Sequence, residues 1–212
     1  LREDGIAMDD GTTARLSETR FVMTTTTANA VTVFRHLEFC RQCLWPKMDV
    51  HLLSTTEQFA QYSIAGPNSR KLLQNLVDDE FDISNQSLPF MACAEVTVCG
   101  GIPARLFRIS FSGELAYEIA IPTRYGDALI RALMEAGDPL DVTPYGTEAL
   151  NVMRIEKGHA AGNEFNGQTT AHDLTMGHML SKSTDYIGTI LSKRPALCSG
   201  ERPILTGLRP VN

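Results

Sequence analysis

Two alternating apolar runs, Ala94–Cys99 and Ile102–Ile109, stand on either side of Gly100-Gly101. A two-glycine step between such runs predicts a β-hairpin, because glycine takes the positive φ that a tight hairpin turn demands. That pairing commits this part of the chain to an antiparallel sheet. Other strand-length stretches are Thr13–Leu16, Arg20–Thr26, Val50–Thr55, Phe59–Ala65 and Leu115–Ile121. Pro103 has no amide donor, so its strand is expected to have an exposed side at that end.

Helical spacing alternates with these runs. A helix is expected over Asn29–Leu44, where Val33, Phe34, Leu37, Cys40 and Leu44 share a face and Trp45-Pro46 stops it. Gly66-Pro67 turns into a helix through Val77, with Leu72, Leu73, Leu76 and Val77 as its buried stripe. Helices also cover about Arg124–Ala136 and Pro144–Lys157, the last closed by Gly158. From His159 to Thr184 the chain is polar and reads as a long ordered loop. The mixture is α+β: antiparallel sheets with flanking helices.

With 212 residues, 43% of them hydrophobic, the chain can bury a sizeable core. Its net charge of −6 argues against a nucleic-acid surface built on bulk positive charge. No apolar run approaches the ~18–20 residues of a membrane span, so no membrane partner is expected. The chain opens on Leu1 and stops just after an apolar step at Ile204-Leu205. It therefore reads as a piece of a longer polypeptide, truncated at both ends.

The five cysteines form no disulfide framework by spacing, which fits a reducing, cytoplasmic setting. Cys40 and Cys43 have CxxC spacing but lack a second ligand pair, and read as reduced thiols on or beside a helix face. The five histidines include no HxxxH pair, so no metal is expected. GxSxG, GxGxxG and P-loop signatures are absent.

The chemistry concentrates in Arg108–Glu118, a strand, a Ser-Gly corner and a second strand. Glu118 and Ala116 lie on one side of the outgoing strand, and Tyr117 and Leu115 on the other. A strand carboxylate among apolar neighbours must find donors. Either Arg105 or Arg108 on the adjacent strand neutralises Glu118, or Glu118 faces a pocket and accepts two adjacent N–H groups in bidentate fashion. The amidine-like edge of a pterin presents such a pair. Asp9-Asp10 is the second candidate: a turn with solvated acids, or a site whose carboxylate steadies a developing cation or handles a proton. Asn163–Thr170, with Asp173, either lines a pocket or forms a capped, self-bonded loop.

Several phrases, in order, resemble the folate-binding aminomethyltransferase family, which includes the glycine-cleavage T-protein. They are Met8–Thr13, Ser63–Pro67, Arg108–Ile119, Met153–Gly158 and Gly167–Thr170. Within that family, Asp9–Arg15, His36–Cys40 and Pro144–Leu150 resemble the C-terminal region of heterotetrameric sarcosine oxidase alpha subunits. The resemblance implies the aminomethyltransferase folate-binding fold over residues 1–193, incomplete, and the start of a C-terminal barrel over 194–212. It implies tetrahydrofolate as cofactor, with flavin and NAD bound only elsewhere in the complex. The implied partners are a flavin-bearing beta subunit and small subunits. The implied reaction captures the one-carbon unit of oxidised sarcosine as 5,10-methylene-tetrahydrofolate. The alternatives are a stand-alone glycine-cleavage aminomethyltransferase and a non-catalytic docking domain of the same fold. By resemblance, Glu118 holds the pterin edge, Tyr117 and Phe111 flank the ring, and Asp10 or Asp9 is catalytic. Leu150 stands where the family usually carries an arginine toward the folate tail.

Overall fold

The computed structural model describes residues 1–211, which divide into two compact units. One unit comprises residues 13–22 and 53–159. Its centre is a four-stranded antiparallel sheet built from β3 (Phe59–Ala65), β4 (Cys93–Val98), β5 (Ile102–Phe107) and β6 (Ala116–Pro122). The spatial order is β3-β6-β5-β4, so β6 sits between two strands and β3 and β4 form the edges. The expected Gly-Gly hairpin joins β4 to β5. Cys99, Gly100 and Gly101 all take positive φ there, and Asp78 accepts from the Gly100 and Gly101 amides at 2.9 and 2.8 Å. Pro103 lies opposite Thr97 of β4, beyond the stretch of β5 that pairs with β6. The missing donor therefore costs the ladder nothing. The short strands β1 (Thr13–Arg15) and β2 (Phe21–Met23) form a separate two-stranded sheet.

One face of the large sheet carries Ile64, Val96, Val98, Ala104, Leu106, Tyr117, Ile119 and Ile121, and these make the hydrophobic core. Helices α2 (Ser69–Gln74) and α3 (Gly126–Gly137) add Leu72, Leu73, Leu129 and Leu133 to it. A Cβ at Gly126 would stand 2.8 Å from that of Ala60, so glycine is what lets α3 approach β3. Helix α4 (Thr147–Lys157) ends as expected at Gly158, in the left-handed conformation with φ 85°. Because α2 and α3 pack on the core face, the alternate residues of the strands belong to the opposite face. That second face carries the candidate site.

The other unit comprises residues 1–12, 23–52 and 160 onward. It holds α1 (Ala30–Phe39), which continues as a π-helical turn over Cys40–Leu44 before Trp45-Pro46. Cys40 is buried, Cys43 is exposed, and all five cysteines are free thiols. The buried hydrophobic cluster here is small: Ala7, Ala160 and Leu174, with Leu1, Phe165 and Met176 against it. Polar ties do much of the holding. Ala7 donates its amide to Thr169 at 2.9 Å, and Leu205 to Asp173 at 2.7 Å. Arg202 grips the buried Asp173 carboxylate through Nε at 3.0 and 3.1 Å, and again through a terminal nitrogen. Thr170 and Asp173 bond each other reciprocally, amide to side chain. The 163–173 stretch is thus the capped, self-bonded loop.

One expected element is absent, while the helix expected through Val77 stops at Gln74 and the strand expected over Arg20–Thr26 spans only Phe21–Met23. Residues 50–55 form no strand. The β-branched composition of that stretch favours extended backbone, but a strand also needs a neighbour to complete its ladder.

Candidate functional site

Strand β6 places Glu118 opposite Ser63 of β3 and opposite Phe107 of β5. Strand alternation turns it away from Tyr117 and Ile119, which enter the core, and onto the face shared with Gln61, Ser63, Arg105 and Phe107. Small residues, Ala116 and Ala120, flank it along its own strand. Gln61 donates its side-chain amide to Glu118 Oε2.

The arginines weighed as partners for Glu118 are engaged elsewhere. The Arg105 guanidinium lies over the Phe59 ring, 4.2 Å from its centroid. Arg108 donates to the Leu88 carbonyl at 2.9 Å. Neither forms an ion pair with Glu118. Burial pushes the Glu118 carboxyl above the usual range, and the Gln61 hydrogen bond offsets part of that rise. The result is a half-buried acid held by one neutral donor. Each carboxylate oxygen carries two lone pairs, so most of its accepting capacity is unspent by Gln61.

The aromatic candidates separate. Phe111, in the corner between β5 and β6, is half-buried and stacks on His159 with centroids 5.7 Å apart; its carbonyl meets His159 Nδ1 at 3.0 Å. Tyr117 corrects the expectation drawn from resemblance. Its side chain is 0% exposed in the core, on the face opposite Glu118, so it flanks nothing bound beside that carboxylate. Its hydroxyl has no hydrogen-bond partner, and the Arg70 guanidinium stands 5.8 Å from its ring centroid.

Asp9 and Asp10 lie in the unit that contains α1. Asp9 is a tie-point. Its carboxylate accepts from the Thr26 amide at 2.9 Å, the Thr26 hydroxyl at 2.7 Å and the Asn29 side-chain amide at 3.2 Å. It fastens the extended start of the chain to the entry of α1. Asp10 follows immediately, half-buried. Among the described residues, no three His, Cys, Asp or Glu side chains gather as a metal site would require.

Residues 1–184 match the family model described as the GCVT N-terminal domain. The chain belongs to this family. This GCVT chain is 52% identical along its whole length to the sarcosine oxidase subunit alpha of Rhizobium meliloti (strain 1021), of which it covers 22%. It is 42% identical, again over 100% of itself and 22% of the relative, to the sarcosine oxidase subunit alpha of Corynebacterium sp. (strain P-1). Its fold is that of a glycine cleavage system aminomethyltransferase T from Bartonella henselae, with a TM-score of 0.77 at 23% identity over 92% of this chain and 51% of that one. The chain spans about a fifth of the length of these sarcosine oxidase relatives.

Sequence reasoning misses Gln61, the side chain that bonds Glu118. The signal is faint but present: Gln61 alternates with core-facing residues inside Phe59–Ala65. Only the pairing of β3 with β6 shows that its side chain reaches Glu118.

Proposed function

We propose that this GCVT domain binds tetrahydrofolate and presents it to the one-carbon unit released when a flavin-bearing partner oxidises sarcosine. The parent is then an alpha subunit of the sarcosine oxidase kind, as the names of the 52% and 42% identical relatives suggest. The observation that carries the reading is the Glu118 carboxylate: half-buried, bonded to one neutral amide and joined to no cation. An acid kept in that state costs the fold stability and suits a ligand edge that offers paired N–H donors.

Tetrahydrofolate, when bound, supplies the amine nitrogens that accept the carbon. The chain's residues do the rest. Glu118 accepts the N–H pair and orients the ring, with Phe111 beside it in the same corner motif. Asp10 supplies negative charge where positive charge develops, and a fixed carboxylate in such a role commonly contributes ~3–4 kcal/mol of barrier lowering. Asp9 holds the backbone that carries Asp10. The setting proposed with this reading is a reducing, cytoplasmic one. Residues 194–212 lead toward the barrel domain of the parent, and flavin and NAD belong to other parts of the complex.

Fluorescence titration with tetrahydrofolate tests the reading. Glu118→Gln keeps the shape, removes the charge and is expected to weaken binding about tenfold or more. Equal affinity in the two proteins would end Glu118's claim as the anchor. In the same series Asp10→Asn binds normally but slows 5,10-methylene-tetrahydrofolate formation in the complex. Unchanged formation would favour the non-catalytic docking domain.

A further inference from the structure

We infer that Gln61 is a positioning residue for ligand recognition: its side-chain amide, reaching from edge strand β3 to Glu118 Oε2 on β6, fixes the plane of the carboxylate that meets the ligand. The inference rests on the folate reading above and deepens it.

The sheet register explains why Gln61 alone has this role. Ser63 and Phe107 stand directly opposite Glu118. Gln61 and Arg105 both register with Ala120, one pleat further along, and are the diagonal neighbours within reach of a long side chain. They diverge from there. Arg105 turns the other way, over Phe59, while Gln61 turns toward Glu118. Had the two exchanged directions, Glu118 would carry a guanidinium and lose its capacity for a ligand's N–H pair. Gln61 is itself solvent-exposed, so the bond is not forced by core packing.

A carboxylate on a flexible side chain loses rotamer freedom when it binds. One fixed hydrogen bond removes part of that loss beforehand and leaves lone pairs on both oxygens. The bond has a second consequence. A glutamine amide donates only to the ionised acid or to an acceptor oxygen, so it favours the charge that a ligand N–H pair requires.

The other polar and charged groups of this surface do not substitute for it. On β4, Glu95 is opposite Arg105 and pairs with Arg20; Cys93 is opposite Phe107. Tyr145 donates to the Ser63 hydroxyl at 3.3 Å.

The test reads the Glu118 carboxyl by carbon-13 NMR in the ligand-free protein, its resonance assigned by loss in Glu118→Gln. Gln61→Leu is expected to move the Glu118 titration up by about one pH unit and to weaken tetrahydrofolate binding at pH 7 about five- to tenfold. Gln61→Lys, which replaces a neutral donor by a charged one, is expected to move the titration down. A purely structural residue would not shift the titration in opposite directions. Titrations that coincide with wild type in both variants overturn the inference. If the titrations shift as stated but wild type fails to bind tetrahydrofolate, the folate reading falls and the Gln61–Glu118 coupling stands.

Discussion

Asp173 in one unit and Glu118 in the other are both acids drawn away from water, and the fold treats them in opposite ways. Asp173 is 5% exposed and its carboxylate is surrounded by donors, Arg202 in a fork and the Thr170 amide, while its own backbone amide donates to the Thr170 hydroxyl. Burial alone would raise its carboxyl, but Arg202 and Thr170 together hold it below the ordinary range. Glu118 has one neutral donor, and burial prevails, so its carboxyl lies above the ordinary range. The comparison separates an acid that builds structure from an acid that, on the proposed reading, is kept for a ligand. The first is satisfied from within. The second is under-satisfied, at a cost to stability that a ligand's donors can remove.

The largest effect is expected where the satisfied acid loses its partner. Arg202→Met leaves Asp173 buried and charged, and should destabilise the protein by about 2–3 kcal/mol in urea unfolding. A loss below half a kcal/mol would mean that Asp173 is a surface acid and the contrast is empty.

The two acids also predict opposite pH trends. Asp173 is more acidic folded than unfolded. Its stabilisation is therefore present above the unfolded value of about 3.9 and is lost as pH falls through the folded value. Glu118 is less acidic folded than unfolded, so the folded state holds the proton in the interval between the two values. Stability falls as pH rises through the folded value. Glu118→Gln abolishes the second trend, and the variant should gain stability relative to wild type on going from pH 4 to pH 8. A relative loss over that range would show that Glu118 is a structural acid after all.

The smallest effect is at Tyr117. Removing its unpartnered hydroxyl in Tyr117→Phe should leave stability unchanged or raise it by up to about 1 kcal/mol, with tetrahydrofolate affinity unaltered. Weaker binding without loss of stability would place Tyr117 on the ligand's side of the sheet and undo the assignment of faces.

Much of this molecule is legible in its sequence. Strands β3 to β6 fall within a residue or two of their expected limits, since alternation and the Gly100-Gly101 step are local signals. The stop of α4 at Gly158 follows from one residue's tolerance of positive φ. Residues 50–55 show the limit of such signals, because composition reports a preference for extended backbone and not the presence of a partner strand. Tyr117 shows a different limit. Motif resemblance groups Tyr117 with Glu118, yet period-two alternation sends Tyr117 to the core and Glu118 to the opposite face.

The sequence by itself determined the antiparallel α+β plan, the family, and the presence of an acid at position 118 beside a Ser-Gly corner. Each depends on residues close together in the chain or on an ordered set of short phrases. Only the tertiary structure decided who stands beside that acid. The pairing of β3 with β6 joins residues 57 apart, and it brings Gln61 to Glu118 while Arg105 goes to Phe59. Contacts between strands so distant along the chain are set by sheet order and register, which no local pattern contains.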